Sequence, residues 1–332
     1  MKYCISKDEK YYRAFPDLLL HKNLICVFVE MNEETKEYNL CITTSNDKGK
    51  TWTERKIIKQ KLDNNGRWDA PRINKIGNDI IITSSWYLND DKDKKNSHIY
   101  MFYLDENLNI KKEIKTTMTG IVPDKIMVLE DKWIQITQER NKNLETIIYY
   151  SYDKGKTWTN KKTLKRDERY NLCETSTIKI DNKIIALMRE NSDKGISALK
   201  TISNDFGNTW SEIYNMPIPA CHRPVITKLK EGYYLITYRF NQGKFIGRGI
   251  HGQNIMGCLI TKEGMLETDR NKIQSRIFPI DYDRNINSNC GYTGVVQFED
   301  GMIYVVSHIV DDNKVAQIRG YSFYLKDLII GE

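Results

Sequence analysis

The chain has 332 residues, enough for two ordinary domains or one large architecture, and its 20 Tyr, 9 Phe and 6 Trp against 7 Pro favour strands. A formal charge of +7 arises from lysines scattered among acids in turns such as "DKDKKN", which argues against a nucleic-acid partner and leaves a mild bias toward anionic ligands. No run of about 18 uncharged apolar residues occurs and the opening "MKYCISKDEKYYRAF" lacks an apolar core of signal length, so a soluble cytoplasmic protein, not inserted in a membrane, is expected.

In chain order, "KYCIS" is followed by six triplets of strand-like runs. They read "RAFPDLLLHKN", "LICVFVE", "YNLCITT"; then "DAPRINKIGN", "DIIITSSW", "HIYMFYL"; then "VPDKIMVLED", "KWIQITQE", "TIIYYSY". The second half continues with "CETSTIKIDN", "KIIALMRE", "ISALKTI"; then "CHRPVITKLKEG", "YYLITYRF", "NIMGCLI"; and "GYTGVVQFEDG", "MIYVVSH", "VAQIRGY".

Three of the third runs enter a near-identical turn: "SNDKGKTWTE" from Ser45, "SYDKGKTWTN" from Ser151 and "SNDFGNTWSE" from Ser203. The spacings of 106 and 52 residues give a period near fifty, the length of one four-stranded blade. Asp is placed to accept backbone N–H groups across the bend, Gly to supply a left-handed angle, and Trp to pack between blades, so the turn reads as a staple without chemistry. The expected fold is all-β: one six-bladed β-propeller of four-stranded antiparallel blades spanning residues 1–332, with "KYCIS" pairing with the last blade to close the ring.

In such a ring the first strands converge on a central pocket. Aligned by their turns at Lys183, Gly232 and Gly301, the last three place Glu174, Arg223 and Tyr292 at one equivalent position. An acid, a base and a phenol there do not make a core pattern. Seven cysteines, an odd number with no CxxC pair, read as buried free thiols, and five His without HxH or HxxxH spacing offer no metal site.

Three Ser-x-Asp-x-Gly-x-Thr-Trp turns on six blades resemble the sialidase (neuraminidase) superfamily. The resemblance implies a Tyr nucleophile paired with a Glu, three arginines gripping a substrate carboxylate, and no metal or other cofactor. Carried over, it makes Tyr292 in "GYTGVVQFEDG" the nucleophile, Glu174 in "CETS" its partner and Arg189 in "ALMREN" the second arginine. Arg13 in "YRAFP" takes the place of the first arginine, displaced by one residue from the family's Phe-Arg-Ile-Pro order. Arg223, Arg239 and Arg248 are candidates for the third; Arg239 is preferred because it lies seven residues past its turn at Gly232, as Arg189 does past Asn182, with Arg223 in the same pocket.

The family's acid/base Asp falls in a loop that here reads "MNEETKEY", offering Glu33, Glu34 and Glu37 but no Asp; Asp69 in "RWDAPR" is the alternative. The implied activity is that of a retaining exo-glycosidase acting on a terminal sialic acid or related acidic sugar. Its partner is then an acidic oligosaccharide, and the oligomeric state is left open. Two other readings stay open: a lyase or hydrolase for uronic-acid glycans using His222, Tyr292 and the arginines, and a carbohydrate-binding propeller without catalysis. Trp68, Trp86 and Tyr282 read either as sugar-stacking faces or as packing between blades.

Overall fold

The computed structural model describes residues 1–32, 34–61, 65–141, 143–192, 194–244 and 251–328. Twenty-four strands form six four-stranded antiparallel sheets. The first blade holds β2 (Tyr12–Leu20), β3 (Leu24–Asn32), β4 (Glu37–Ser45) and β5 (Lys56–Lys59), and the second holds β6 (Gly66–Ile76), β7 (Asp79–Leu88), β8 (His98–Leu104) and β9 (Ile110–Thr119). The third is β10 (Met127–Val128), β11 (Trp133–Arg140), β12 (Leu144–Ser151) and β13 (Thr159–Thr163), and the fourth is β14 (Leu172–Ile180), β15 (Lys183–Glu190), β16 (Leu199–Ser203) and β17 (Tyr214–Asn215).

The fifth blade is β18 (Cys221–Lys228), β19 (Tyr234–Lys244), β20 (His251–Ile260) and β21 (Ser275–Tyr282). The sixth combines β22 (Cys290–Gln297), β23 (Ile303–Ile309) and β24 (Gln317–Phe323) with β1 (Lys2–Ser6), which pairs antiparallel with β24 and closes the ring as expected. Among the described residues no helix is long and apolar enough to cross a membrane.

Each blade buries both faces, so its second strand carries apolar residues on both sides. Along β3, Ile25, Val27, Val29 and Met31 pack against the second blade, whereas Leu24, Cys26 and Phe28 pack against the sixth. The same division recurs around the ring and gives one core in each cleft between adjacent blades. The outer strands are short and carry lysines, such as Lys56 and Lys59 on β5 and Lys161 and Lys162 on β13. Charged outer edges resist pairing with another chain, which accounts for the scattered positive charge.

The three repeated turns share one hydrogen-bond pattern. Ser45 Oγ donates to Asp47 Oδ1 (2.7 Å) and accepts from the Gly49 N–H (2.8 Å), while Asp47 accepts from Thr51 N–H (2.9 Å) and Thr51 Oγ1 (2.6 Å). Ser151/Asp153 and Ser203/Asp205 repeat it. Gly49 has φ +84°, and a Cβ there would meet the Tyr304 ring at 2.3 Å. Gly49→Ala is therefore expected to cost about 3 kcal/mol through overpacking and backbone strain, lowering Tm by about 4 °C in calorimetry.

The innermost strand of a blade has one edge without a partner in its own sheet, and the neighbouring blade supplies acceptors for it. Asp17 Oδ2 accepts from Ile73 N–H (2.9 Å), Asn74 Oδ1 from Ile126 N–H (3.1 Å), Asp124 Oδ2 from Thr177 N–H (2.8 Å) and Ser176 Oγ from Ile226 N–H (3.3 Å). These bonds fix the blades around the hub.

Candidate active site at the propeller hub

Every inner strand carries the same defect. At Phe15, Ala70, Val122, Glu174, Arg223 and Tyr292 the backbone is left-handed, with φ between 40° and 57°. In each blade this residue and its successor oppose a single residue of the second strand, as Glu174 and Thr175 do between the Cys173↔Arg189 and Ser176↔Leu187 pairs. Such a bulge re-aims a side chain, here toward the hub. The following residue is Pro16, Pro71, Pro123 or Pro224 in four blades, which suits a position with no ladder N–H to offer. Non-glycine residues adopt this conformation at an energetic cost, and six equivalent instances mark the hub as the place where side-chain direction matters most.

A second ring comes from the strand behind, at the residue facing the position before each bulge: Val29, Ser85, Gln138, Arg189, Arg239 and His308. Among the bulge residues the polar groups lie on the fourth, fifth and sixth blades and the apolar ones on the first three, where Ala70 and Val122 pack with Tyr292 beside Phe15.

The structure brings Tyr292, Glu174, Arg189 and Arg239 together. Tyr292 Oη donates to Glu174 Oε1 (2.5 Å), and Arg189 Nη1 donates to Glu174 Oε2 (2.7 Å). Arg239 Nη2 lies 4.0 Å from the same oxygen, and its guanidinium stands 5.7 Å from the Tyr292 ring centre. Burial would raise the Glu174 carboxyl, but Arg189, Arg239 and the phenol outweigh it and hold it well below the usual carboxylate range. Burial, reinforced by the Glu174 charge, pushes the Tyr292 phenol well above its ordinary value. The Nε atoms of both arginines have no partner among the described residues, which leaves donors available to an anion.

Asp69 enters from the second blade, directly before the Ala70 bulge. Its Oδ2 accepts from Tyr87 Oη (2.8 Å), to which Arg67 Nε donates in turn (2.9 Å), while Oδ1 is buried and unpartnered among the described residues. Burial raises its carboxyl above the ordinary value. The loop alternatives are less suited to an acid. Glu37 accepts from Tyr11 Oη (2.6 Å) and Thr35 Oγ1 (2.8 Å), and the Tyr11 bond holds it below its ordinary value. Glu34 sits at the rim of a cavity of about 590 Å³ that reaches Tyr12, Phe15, Met31 and Arg67, and Glu33 lies outside the described residues.

Two predicted arginines stand elsewhere. Arg13 is turned from the hub: its Nε donates to Glu30 (2.9 Å) and its Nη1 to Ser6 Oγ (2.9 Å), with Arg55 on the same carboxylate. Phe15 takes the hub position of that blade and packs edge-on against Tyr292 at 4.6 Å. Arg223 reaches the hub but is fully buried, with Nη2 donating to Pro123 O (3.1 Å), so it has no face for a substrate. Arg248 lies outside the described residues. His222 is buried and faces Arg239 across the ladder. Trp68 is a core residue at the contact of the first two blades with Trp86 packed on it, and Tyr282 is exposed.

His308 was missed. It sits 6.0 Å from the Tyr292 ring and 5.5 Å from Phe15, and burial together with Arg239 pushes it down to about 3, so it is neutral. Its signal was present, because it follows the turn at Gly301 by seven residues, the count that singled out Arg239. Gly291, before Tyr292, has φ +112°, and a Cβ there would meet Arg239 Cβ at 2.8 Å. Gly291→Ala is expected to displace Arg239 and raise KM for an acidic substrate about tenfold, with a smaller change in kcat, in steady-state kinetics.

Comparison with known proteins agrees with this arrangement at the level of fold. The sequence is 25% identical over 247 residues to a sialidase of Clostridium perfringens, a match covering 62% of each, so the chain spans 62% of the length of the curated relative it matches. A mutant of Trypanosoma rangeli sialidase displaying trans-sialidase activity superposes with a TM-score of 0.65 at 16% identity, covering 98% of this chain and 57% of that one. The α-L-arabinofuranosidase of Fusarium graminearum gives a TM-score of 0.69 at 11% identity, covering 98% of both chains. No family model matches the sequence. The resemblance drawn from the repeated turns thus has a sialidase relative in sequence and sialidases in fold.

Proposed function

We propose that the chain is a retaining glycosidase for a terminal acidic sugar of the sialic-acid class, with Tyr292 as nucleophile. The observation that carries this reading is the Tyr292–Glu174 hydrogen bond, with Glu174 in turn held by Arg189. A sugar whose anomeric carbon bears a carboxylate repels an anionic nucleophile, whereas a neutral phenol can approach it; tyrosine is the known exception to the two-carboxylate scheme.

The free site is set against premature ionisation, since the phenol is raised and Glu174 is held as a weak base. Binding changes the balance. A substrate carboxylate that takes up the Arg189 and Arg239 forks competes with Glu174 for them, so Glu174 becomes a stronger base as the phenol meets the anomeric carbon. Asp69, whose protonated form burial favours, gives its proton to the leaving oxygen, and the resulting carboxylate then activates water to release the sugar from Tyr292. No step requires a metal or other cofactor.

Asp69→Asn is expected to lower kcat/KM by about a hundredfold for a natural sialoside and by little for a 4-nitrophenyl or 4-methylumbelliferyl glycoside, whose leaving group needs no acid, while kcat falls on both because water is no longer activated for the second step. Equal losses of kcat/KM on both substrates would assign the acid to another group. A second reading, a glycosidase for a neutral sugar, is favoured by Phe15, which puts an apolar ring at the hub on the blade where the first arginine is expected. Turnover of an arabinofuranoside with none on a sialoside would select it.

A further inference from the structure

Beneath the Tyr292–Glu174 pair lie two guanidinium groups that the proposed reaction does not use. Arg223 projects from the fifth blade and Arg72 from the second, and both are fully buried. Arg223 spans the hub to donate Nη2 to Pro123 O (3.1 Å) on the third blade, and its guanidinium is 5.6 Å from the Tyr292 ring centre. Arg72 donates Nη1 to Thr293 O (3.1 Å), the residue after Tyr292.

Their charges are poorly matched. Asp17 Oδ1 lies 3.4 Å from Arg72 Nη1, but the same carboxylate also faces Lys125 at 3.3 Å and accepts the Ile73 N–H through Oδ2, while Asp124, whose charge favours the ionised Arg223, is bonded to the Thr177 N–H and Oγ1. Among the described residues Arg223 has no carboxylate within ion-pair distance, and Arg72 Nε and Nη2 and Arg223 Nε and Nη1 have no partner. Burial and then the neighbouring charge of Arg72 push Arg223 down to about 10.

Arg72, Arg223 and Lys125 share the charges of Asp17 and Asp124, so one positive charge is left over at the hub while four guanidinium nitrogens stay unspent, and a buried excess of that kind calls for a compensating negative charge. Water can satisfy the donors, but it leaves that charge uncompensated.

We propose that a single monovalent anion of halide size binds between Arg72 and Arg223 in the hub, beneath the candidate nucleophile. The site is separate from the substrate pocket, and the proposal does not depend on the glycosidase reading. It is tested by soaking crystals of the whole chain in sodium bromide and by thermal melts in sodium chloride against sodium gluconate at equal ionic strength.

An anomalous bromide peak in contact with both guanidinium groups is expected, together with a Tm higher by about 4 °C in chloride when chloride reaches about a hundred times its dissociation constant. Arg223→Met should abolish the chloride-specific increment, and Arg72→Met should do the same. Equal melting in the two salts, with only water between the arginines in the bromide soak, overturns the proposal; the soak needs no variant, so this outcome does not depend on either variant folding.

Discussion

Replacing Tyr292 by Phe is expected to reduce kcat on a fluorogenic sialoside by about a thousandfold or more while leaving KM within about threefold. Only the hydroxyl is lost. The ring keeps its edge contact with Phe15 and its place beside His308, and Glu174 keeps Arg189, so the pocket that binds substrate persists. Melting should therefore be nearly unchanged, which separates a chemical defect from a folding one. Wild-type turnover by Tyr292→Phe would remove the phenol from the mechanism, and inversion of configuration in the first-formed product of the wild type would exclude a covalent intermediate.

Arg189→Met is the second substitution with a large expected effect. Arg189 supplies a charge-assisted bond to Glu174 in the free site and, in the proposed mechanism, a fork for the substrate carboxylate, so its loss should lower kcat/KM by about a hundredfold, or about 3 kcal/mol. Its signature lies in pH dependence. Glu174 must be ionised to act as base, and it stays so far into the acid range because Arg189 and Arg239 outweigh its burial.

Without Arg189 the folded-state pKa of Glu174 rises, so the acid limb of the kcat/KM profile moves to higher pH. The sign for stability follows from the same shift: a depressed folded pKa stabilises above the unfolded value and loses that contribution as pH falls through the folded one. The wild type should therefore hold its pair stabilisation through mild acid, and the variant should not. An unmoved acid limb would mean that Glu174 does not set it.

The ring of blades was legible because each second and third strand buries both faces, which writes a run such as "LICVFVE" that no surface strand would carry. The Tyr292 and Glu174 positions followed from counting back to the turns, since all six inner strands bulge at the same place. Arg13 was misplaced for a related reason. In an extended strand a shift of one residue turns a side chain to the other face, and the segment "YRAFP" carries its arginine one position too early, opposite Glu30.

Arg223 illustrates a different limit. Its position was read correctly, but whether a long side chain points up to a substrate or down into the hub depends on what neighbouring blades offer, here the carbonyl of Pro123. The third blade was also harder to read, because its inner strand shortens to Met127–Val128 after the bulge at Val122 and Pro123.

The pairing of β1 with β24 has a consequence for how the molecule assembles. Lys2 sits against Tyr321, so β1 docks only after β24, more than 300 residues later in the chain, has left the ribosome. Until then the nascent circle is open, Gln317–Phe323 has nothing along one side, and the longest-range contact of the fold is still unmade. The clasp acts as a final latch: the five residues of β1 determine whether the finished sheet array meets solvent as a sealed annulus or as a sticky ribbon end.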